Sequence, residues 1–147
     1  MKFKFKLQNV LLIKQKFEEQ QKNEFMIAVQ DLNSKEERLE VLKSQLVDAI
    51  EYARGLRKTS ITINDLRSSD ASIKYTEGQI VRQKEVVERA RQKVTVEQEK
   101  LSEMMKERKI YERLKDKEFE EYKVMMNTKE VSEIDELTSY SYGKNKQ

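Results

Sequence analysis

Apolar residues recur along this chain at intervals of three and four, with charged residues filling most positions between them. Leu32, Leu39, Leu42, Leu46, Ala49, Ala53 and Leu56 are separated by seven, then alternately by three and four. That is the a/d seam of a heptad repeat, with Lys35 at one intervening seam position. Upstream, Phe25 and Ala28 extend the stripe, while Leu11, Lys14 and Phe17 follow it less strictly. A second run places Ile73, Ile80, Val87, Val94 and Leu101 seven apart, with Ala90 and Met104 at the other seam position. Past Arg108, the residues Tyr111, Leu114, Phe119, Tyr122 and Met126 still mark a stripe, but with a four-residue slip of the kind that locally unwinds a supercoil.

The pattern predicts one helix over about 7–57, a connecting loop over about 58–70, a second helix over about 71–127 and a C-terminal tail over about 128–147. Gly55 is placed to end the first helix, and Thr59 to Ile63 is rich in β-branched residues. Asn64 or Asp65 suits the cap of a short turn around Leu66, and Ser69 or Asp70 the cap of the second helix. So short a connection folds the helices back antiparallel with their seams facing, each on the order of 75–80 Å long at 1.5 Å per residue. The expected fold class is all-α: one domain, 1–147, built as a long antiparallel two-helix coiled-coil hairpin, a rod rather than a globule. Gly78 inside the second helix costs about 1 kcal/mol relative to Ala, which points to a local bend or a close approach, or to a glycine merely tolerated.

The opening residues break this rhythm. Phe3, Phe5 and Leu7 alternate with Lys2, Lys4 and Lys6, the period-two pattern of a half-buried strand. The same residues leave open a signal peptide, a membrane-surface segment, or the lead-in to a helix that docks its tip on a partner. The apolar run Val10-Leu11-Leu12-Ile13 is cut short by Lys14. A signal peptide needs roughly 7–15 apolar residues and a membrane span about 20, so both fail on length and the chain reads as soluble.

Composition agrees with helices and removes several chemistries. Of 147 residues, 39% are charged and 37% hydrophobic, and the mean hydropathy is -0.89. An ordinary domain carries about 45–50% apolar and about 25% charged residues. Proline is absent and glycine occurs only three times. Disorder shares this polarity, but 30 basic and 27 acidic residues nearly cancel and the apolar residues keep helical spacing. The net charge of +3 is spread through mixed runs and makes no argument for nucleic acid. Without Cys there is no disulfide, thiolate metal site or cysteine nucleophile, which fits the cytoplasm; without His there is no imidazole base or ligand.

Runs such as KEERLE, RQKEVVERARQK and ERLKDKEFEE set opposite charges three and four apart, pairs that each contribute about 0.2–0.5 kcal/mol to a solvated helix. Glu118, Glu120 and Glu121 project in different directions around a helix and do not converge on one ion. Met104, Met105, Met125 and Met126 read as coil packing, and Tyr52, Tyr75, Tyr111 and Tyr122 as candidate binding anchors where exposed. There is no glycine-rich phosphate loop, nucleophile elbow or convergent acid–base pair, so the reading is of a protein that is not an enzyme and takes no cofactor or metal. A two-stranded coil acts instead by binding, bridging or rotating.

The stretch FKFKLQNVLLIKQKFEEQQKNEF resembles the N-terminus of the FliJ family of flagellar export proteins, which often open with alternating Phe and basic residues, then a Leu-Gln-hydrophobic-Leu segment. EVSEIDELTSYSYG resembles the family's closing segment, with Asp135-Glu136 after a hydrophobic residue. The resemblance spans essentially the whole chain. It implies a hairpin similar to the rotor stalk of F-type ATPases, whose open end enters the hole of the hexameric flagellar export ATPase. It further implies contact with the export gate protein FlhA, escort of export chaperones, and a cytoplasmic location peripheral to the membrane at the flagellar base. Neither nucleic acid nor insertion into the membrane is implied, and the intramolecular hairpin predicts a monomer. By the same resemblance Phe3, Phe5, Leu7, Gln8, Leu11, Asp135 and Glu136 are candidates for the ATPase end, and Tyr52, Ile80 and Gln83 for the gate. The basic N-terminal turn, with six Lys against two Glu through Lys22, would complement an acidic lumen. An injectisome-type stalk, a scaffold coiled coil, and a binder of membranes or nucleic acid are the rival readings.

Overall fold

A computed structural model describes residues 2–59 and 62–145, of which 144 and 145 are described by backbone alone. Two helices account for nearly all of it: α1, Gln8–Arg57, and α2, Ile63–Asn145. The fold is an all-α antiparallel coiled-coil hairpin, and no strand occurs among the described residues. The Phe–Lys alternation of the opening is therefore not a strand. Its backbone finds no second strand to pair with and instead turns into α1, the Gln8 amide donating to the Phe5 carbonyl at 3.1 Å.

Both ends of α2 differ from the sequence-based bounds. The helix begins at Ile63 rather than near residue 71 because Thr62 caps it. The Asp65 amide donates to Thr62 Oγ1 at 3.2 Å, and the Thr62 amide donates back to Asp65 Oδ2 at 3.4 Å, a reciprocal capping box. Part of the proposed loop is thus helix; Ser60 and Ile61, which belonged to it, lie outside the described residues. At the other end the expected tail is helical through Asn145, since between Asn127 and Tyr142 nothing stronger than β-branching opposes a helix. Gly55 does not stop α1, which runs two residues further to Arg57. The end is made by Lys58 and Thr59 amides bonding the Gly55 and Leu56 carbonyls at 3.2 Å, three residues back.

The packing divides into two units, Gln20–Leu101 and Met1–Glu19 with Ser102–Gln147. In the first, Ala28, Leu42, Ala53, Ile80, Val87 and Ala90 are buried. The covered positions include Gln21, Phe25, Ala28, Leu32, Lys35, Leu39, Leu42, Leu46, Ala49, Ala53 and Leu56, spaced strictly four and three. Ser69, Ile73, Thr76, Ile80, Gln83, Val87, Ala90, Val94, Glu97 and Leu101 answer them from α2. Each Leu, Ile or Val withdrawn from water in such a seam contributes about 1.5–3 kcal/mol, and the alanines let the helices approach. Antiparallel pairing is direct here: Gln21 meets Glu97, and Lys35 meets Gln83.

In the second unit Phe5 and Leu11 are buried, and Lys14 and Glu18 continue the spacing on α1. On α2 the half-buried Met104, Arg108, Tyr111, Lys115, Glu118 and Tyr122 keep the three-four alternation. The expected four-residue slip past Arg108 is not there. Charged residues hold many of the seam positions, while Phe17, Leu114 and Phe119, assigned to the stripe for their hydrophobicity, stay 50%, 38% and 38% exposed.

Candidate functional site

Four of the seven residues proposed for the ATPase end come together around the start of α1. Phe3 rests on two aromatic rings of α2, its centroid 5.2 Å from Phe119 and 5.4 Å from Tyr122, both in tilted geometry. Lys123 Nζ lies 4.5 Å from the Phe119 ring centre, adding a cation to the cluster. Phe3, Phe5 and Gln8 line a cleft of about 470 Å³ with Lys4 and Lys115. Leu11 sits beneath them in the seam. Leu7 is 38% exposed. Asp135 and Glu136 stand apart, exposed on the last turns of α2 and without a bond to the N-terminal segment among the described residues.

Those last turns are a distinct surface. Every described side chain from Asn127 to Gly143 is exposed, so α1 covers none of this stretch. It displays Val131, Ile134 and Leu137, with Lys129 outnumbered by Glu130, Glu133, Asp135 and Glu136. The N-terminal residues of the same unit carry Lys2, Lys4 and Lys6, all exposed. One unit therefore presents a basic lead-in and an acidic, partly apolar helix.

Below the aromatic cluster, polar side chains bind the seam together. Lys14 Nζ donates to Glu107 Oε2 at 2.9 Å, and this carboxylate raises the lysine pKa. Arg108 Nε donates to the buried Glu18, and its Nη1 to Glu112 Oε2 at 2.9 Å. The two carboxylates, Glu18 first, raise the guanidinium's already high pKa. Sequence reasoning passed over Glu18, although four residues from Lys14 and three from Gln21 is the spacing of a seam residue.

In the other unit, Glu97 occupies the seam between Ala90 and Met104, seven residues from each, and is only 4% exposed. Gln21 Nε2 donates to its carbonyl at 3.0 Å and to Oε2 at 2.5 Å, while Lys93 and Lys100 reach Oε1 at 2.9 and 3.5 Å. The bonded Lys93, then Gln21, hold the Glu97 carboxyl at about 2, against the opposing effect of burial. Of the gate candidates, Tyr52 is 67% exposed and lines a small cleft of about 200 Å³. Ile80 is buried in the seam. Gln83 is half-buried, its Nε2 donating across the seam to the Lys35 carbonyl at 3.0 Å. The three do not form one exposed patch.

No group of three or more His, Cys, Asp or Glu side chains able to hold a metal occurs among the described residues. Nor is any helix there long and apolar enough to cross a membrane. No curated protein and no solved structure matches the chain. A family model does: that of the Flagellar FliJ protein, over residues 3–147. A two-helix coil with charged seams, an aromatic clasp on its N-terminal segment and a match over almost its whole length thus belongs to the FliJ family and is a component of the flagellar export apparatus.

Proposed function

We propose that this chain is a non-catalytic stalk: its terminal end binds in the ring of the flagellar export ATPase, promotes ring assembly and activity, and couples the ring to the export gate protein FlhA while escorting export chaperones. The observation that supports it best is the exposed helix 127–143, an apolar and acidic surface that α1 leaves open to solvent. Phe3 and Phe5 anchor the neighbouring basic segment, so that Lys2, Lys4 and Lys6 are presented from a fixed base rather than a loose end. A ring with asymmetric states responds to such a stalk only if one state binds it more tightly than the others.

Within this reading Leu7, Gln8, Asp135 and Glu136 make direct contacts, and Phe5 and Leu11 act by holding the end in shape. At the gate, Tyr52 is the direct contact, while Ile80 and Gln83 hold the seam farther along the hairpin, where Gln83 meets Lys35. The chain acts as a monomer. Steady-state ATP hydrolysis by the cognate export ATPase, with and without this protein and alongside co-elution, tests the proposal. Stimulation with co-elution is expected, reduced by Asp135→Lys with Glu136→Lys. A competent ATPase that neither binds nor responds would sink it.

A further inference from the structure

Where the two helices join, the last turn of α1 and the first turns of α2 enclose a cleft of about 590 Å³ that the functional reading above does not use. Ala53, Ile63 and Leu66 give it apolar walls, and Ile63 is 69% exposed. Arg57 and Arg67 line it, and neither guanidinium has an ion pair or hydrogen bond among the described residues. Ser69 lines it too. This side chain is 9% exposed, and its Oγ is buried with no hydrogen-bond partner. Buried hydroxyls are almost always satisfied, so an orphan beside two unengaged guanidiniums marks a place where an acceptor is missing.

We propose that this cleft binds an acidic peptide, one Asp or Glu carboxylate engaging Arg57, Arg67 and Ser69 while an adjacent apolar side chain packs on Ile63 and Leu66. The charge balance selects a carboxylate. Asp70 lines the same cleft, so the two arginines leave it one positive charge in excess. A carboxylate brings that to neutrality, whereas a phosphate dianion overshoots it beside Asp70. The planar fork of a guanidinium also matches a carboxylate bidentately. The apolar walls give a bare inorganic ion nothing to hold, and a peptide side chain something to bury.

The test uses the full chain and a short fluorescent peptide of alternating Glu and Leu, read by anisotropy, with circular dichroism on each variant. Binding is expected, weaker by about tenfold for Arg57→Gln or Arg67→Gln, as for loss of a charge-assisted hydrogen bond. Ser69→Ala weakens binding a few-fold while the thermal midpoint holds or rises, because the hydroxyl it removes has no partner in the free protein. A purely structural serine predicts the opposite pair of results. The idea fails if the arginine variants bind like the parent or if a Gln–Leu peptide binds equally well. It fails equally if inorganic phosphate at matched ionic strength displaces the peptide, since the cleft would then be a general oxyanion site.

Discussion

Between Gln20 and Leu101 the seam holds Leu32, Leu39, Leu42, Leu46, Ile73, Ile80 and Val87, with polar residues as interruptions. In the unit of the chain termini the same spacing is kept by Lys14, Glu18, Arg108, Lys115 and Glu118, with apolar residues as the interruptions. Apolar seam residues draw stability from leaving water, but a seam of leucines tolerates sliding by a heptad. Charged seam residues contribute little net stability, yet each must find its own partner, so they specify register. The comparison teaches that the heptad spacing outlasts the hydrophobicity that usually reveals it.

The contrast can be broken first at Leu42, 3% exposed in the apolar seam. Leu42→Ala is expected to cost about 2–5 kcal/mol in chemical denaturation, the range for a truncated core leucine. Next come Glu18 and Arg108. Changing either alone breaks the Glu18–Arg108 bond in the seam and lowers the melting temperature, whereas the double change to Leu restores or exceeds it. A double variant less stable than both singles would show that the pair itself holds the unit together. Glu97 gives the comparison a pH axis. Its folded value of about 2 lies below the ordinary 4.5, so its contribution is full above about pH 4.5 and disappears as pH falls toward 2. Glu97→Gln should therefore flatten the stability profile in that window. The smallest effects lie outside both seams. Thr62→Ala is expected to cost about 1 kcal/mol through the lost cap. Gly78→Ala should gain about 0.5–1 kcal/mol, because an added Cβ meets only the Arg82 guanidinium, at 3.7 Å.

The last of these also narrows the readings of Gly78, since nothing comes near enough to require a glycine and the close approach falls away. Much of the hairpin was legible because Leu32 to Leu56 and Ile73 to Leu101 announce their register by hydrophobicity alone. The terminal unit was read less well for the converse reason. Phe17, Leu114 and Phe119 drew the eye, while the seam ran through Glu18, Lys115 and Glu118. The capping box at Thr62 and Asp65 was present as Thr-x-x-Asp, but the β-branched run around it argued for a loop. Of the candidate contacts, the grouping of Phe3, Phe5 and Gln8 follows from where α1 starts. The burial of Ile80 follows from the heptad that already contained it. The cleft of Arg57, Arg67 and Ser69 has no one-dimensional signature, because it depends on two helix ends meeting.

The uncovered end of α2 has a thermodynamic consequence. A free peptide matching 127–143, about five turns long, would be mostly unfolded in water, because the first helical turn is costly to nucleate. Here nucleation has already happened in the paired stretch before it, so the segment only propagates. Its backbone amides should exchange with solvent along a gradient, slow near Tyr122 and progressively faster toward Asn145. A partner that captures this segment thus meets a helix already wound at its base, and need order only the turns that fray.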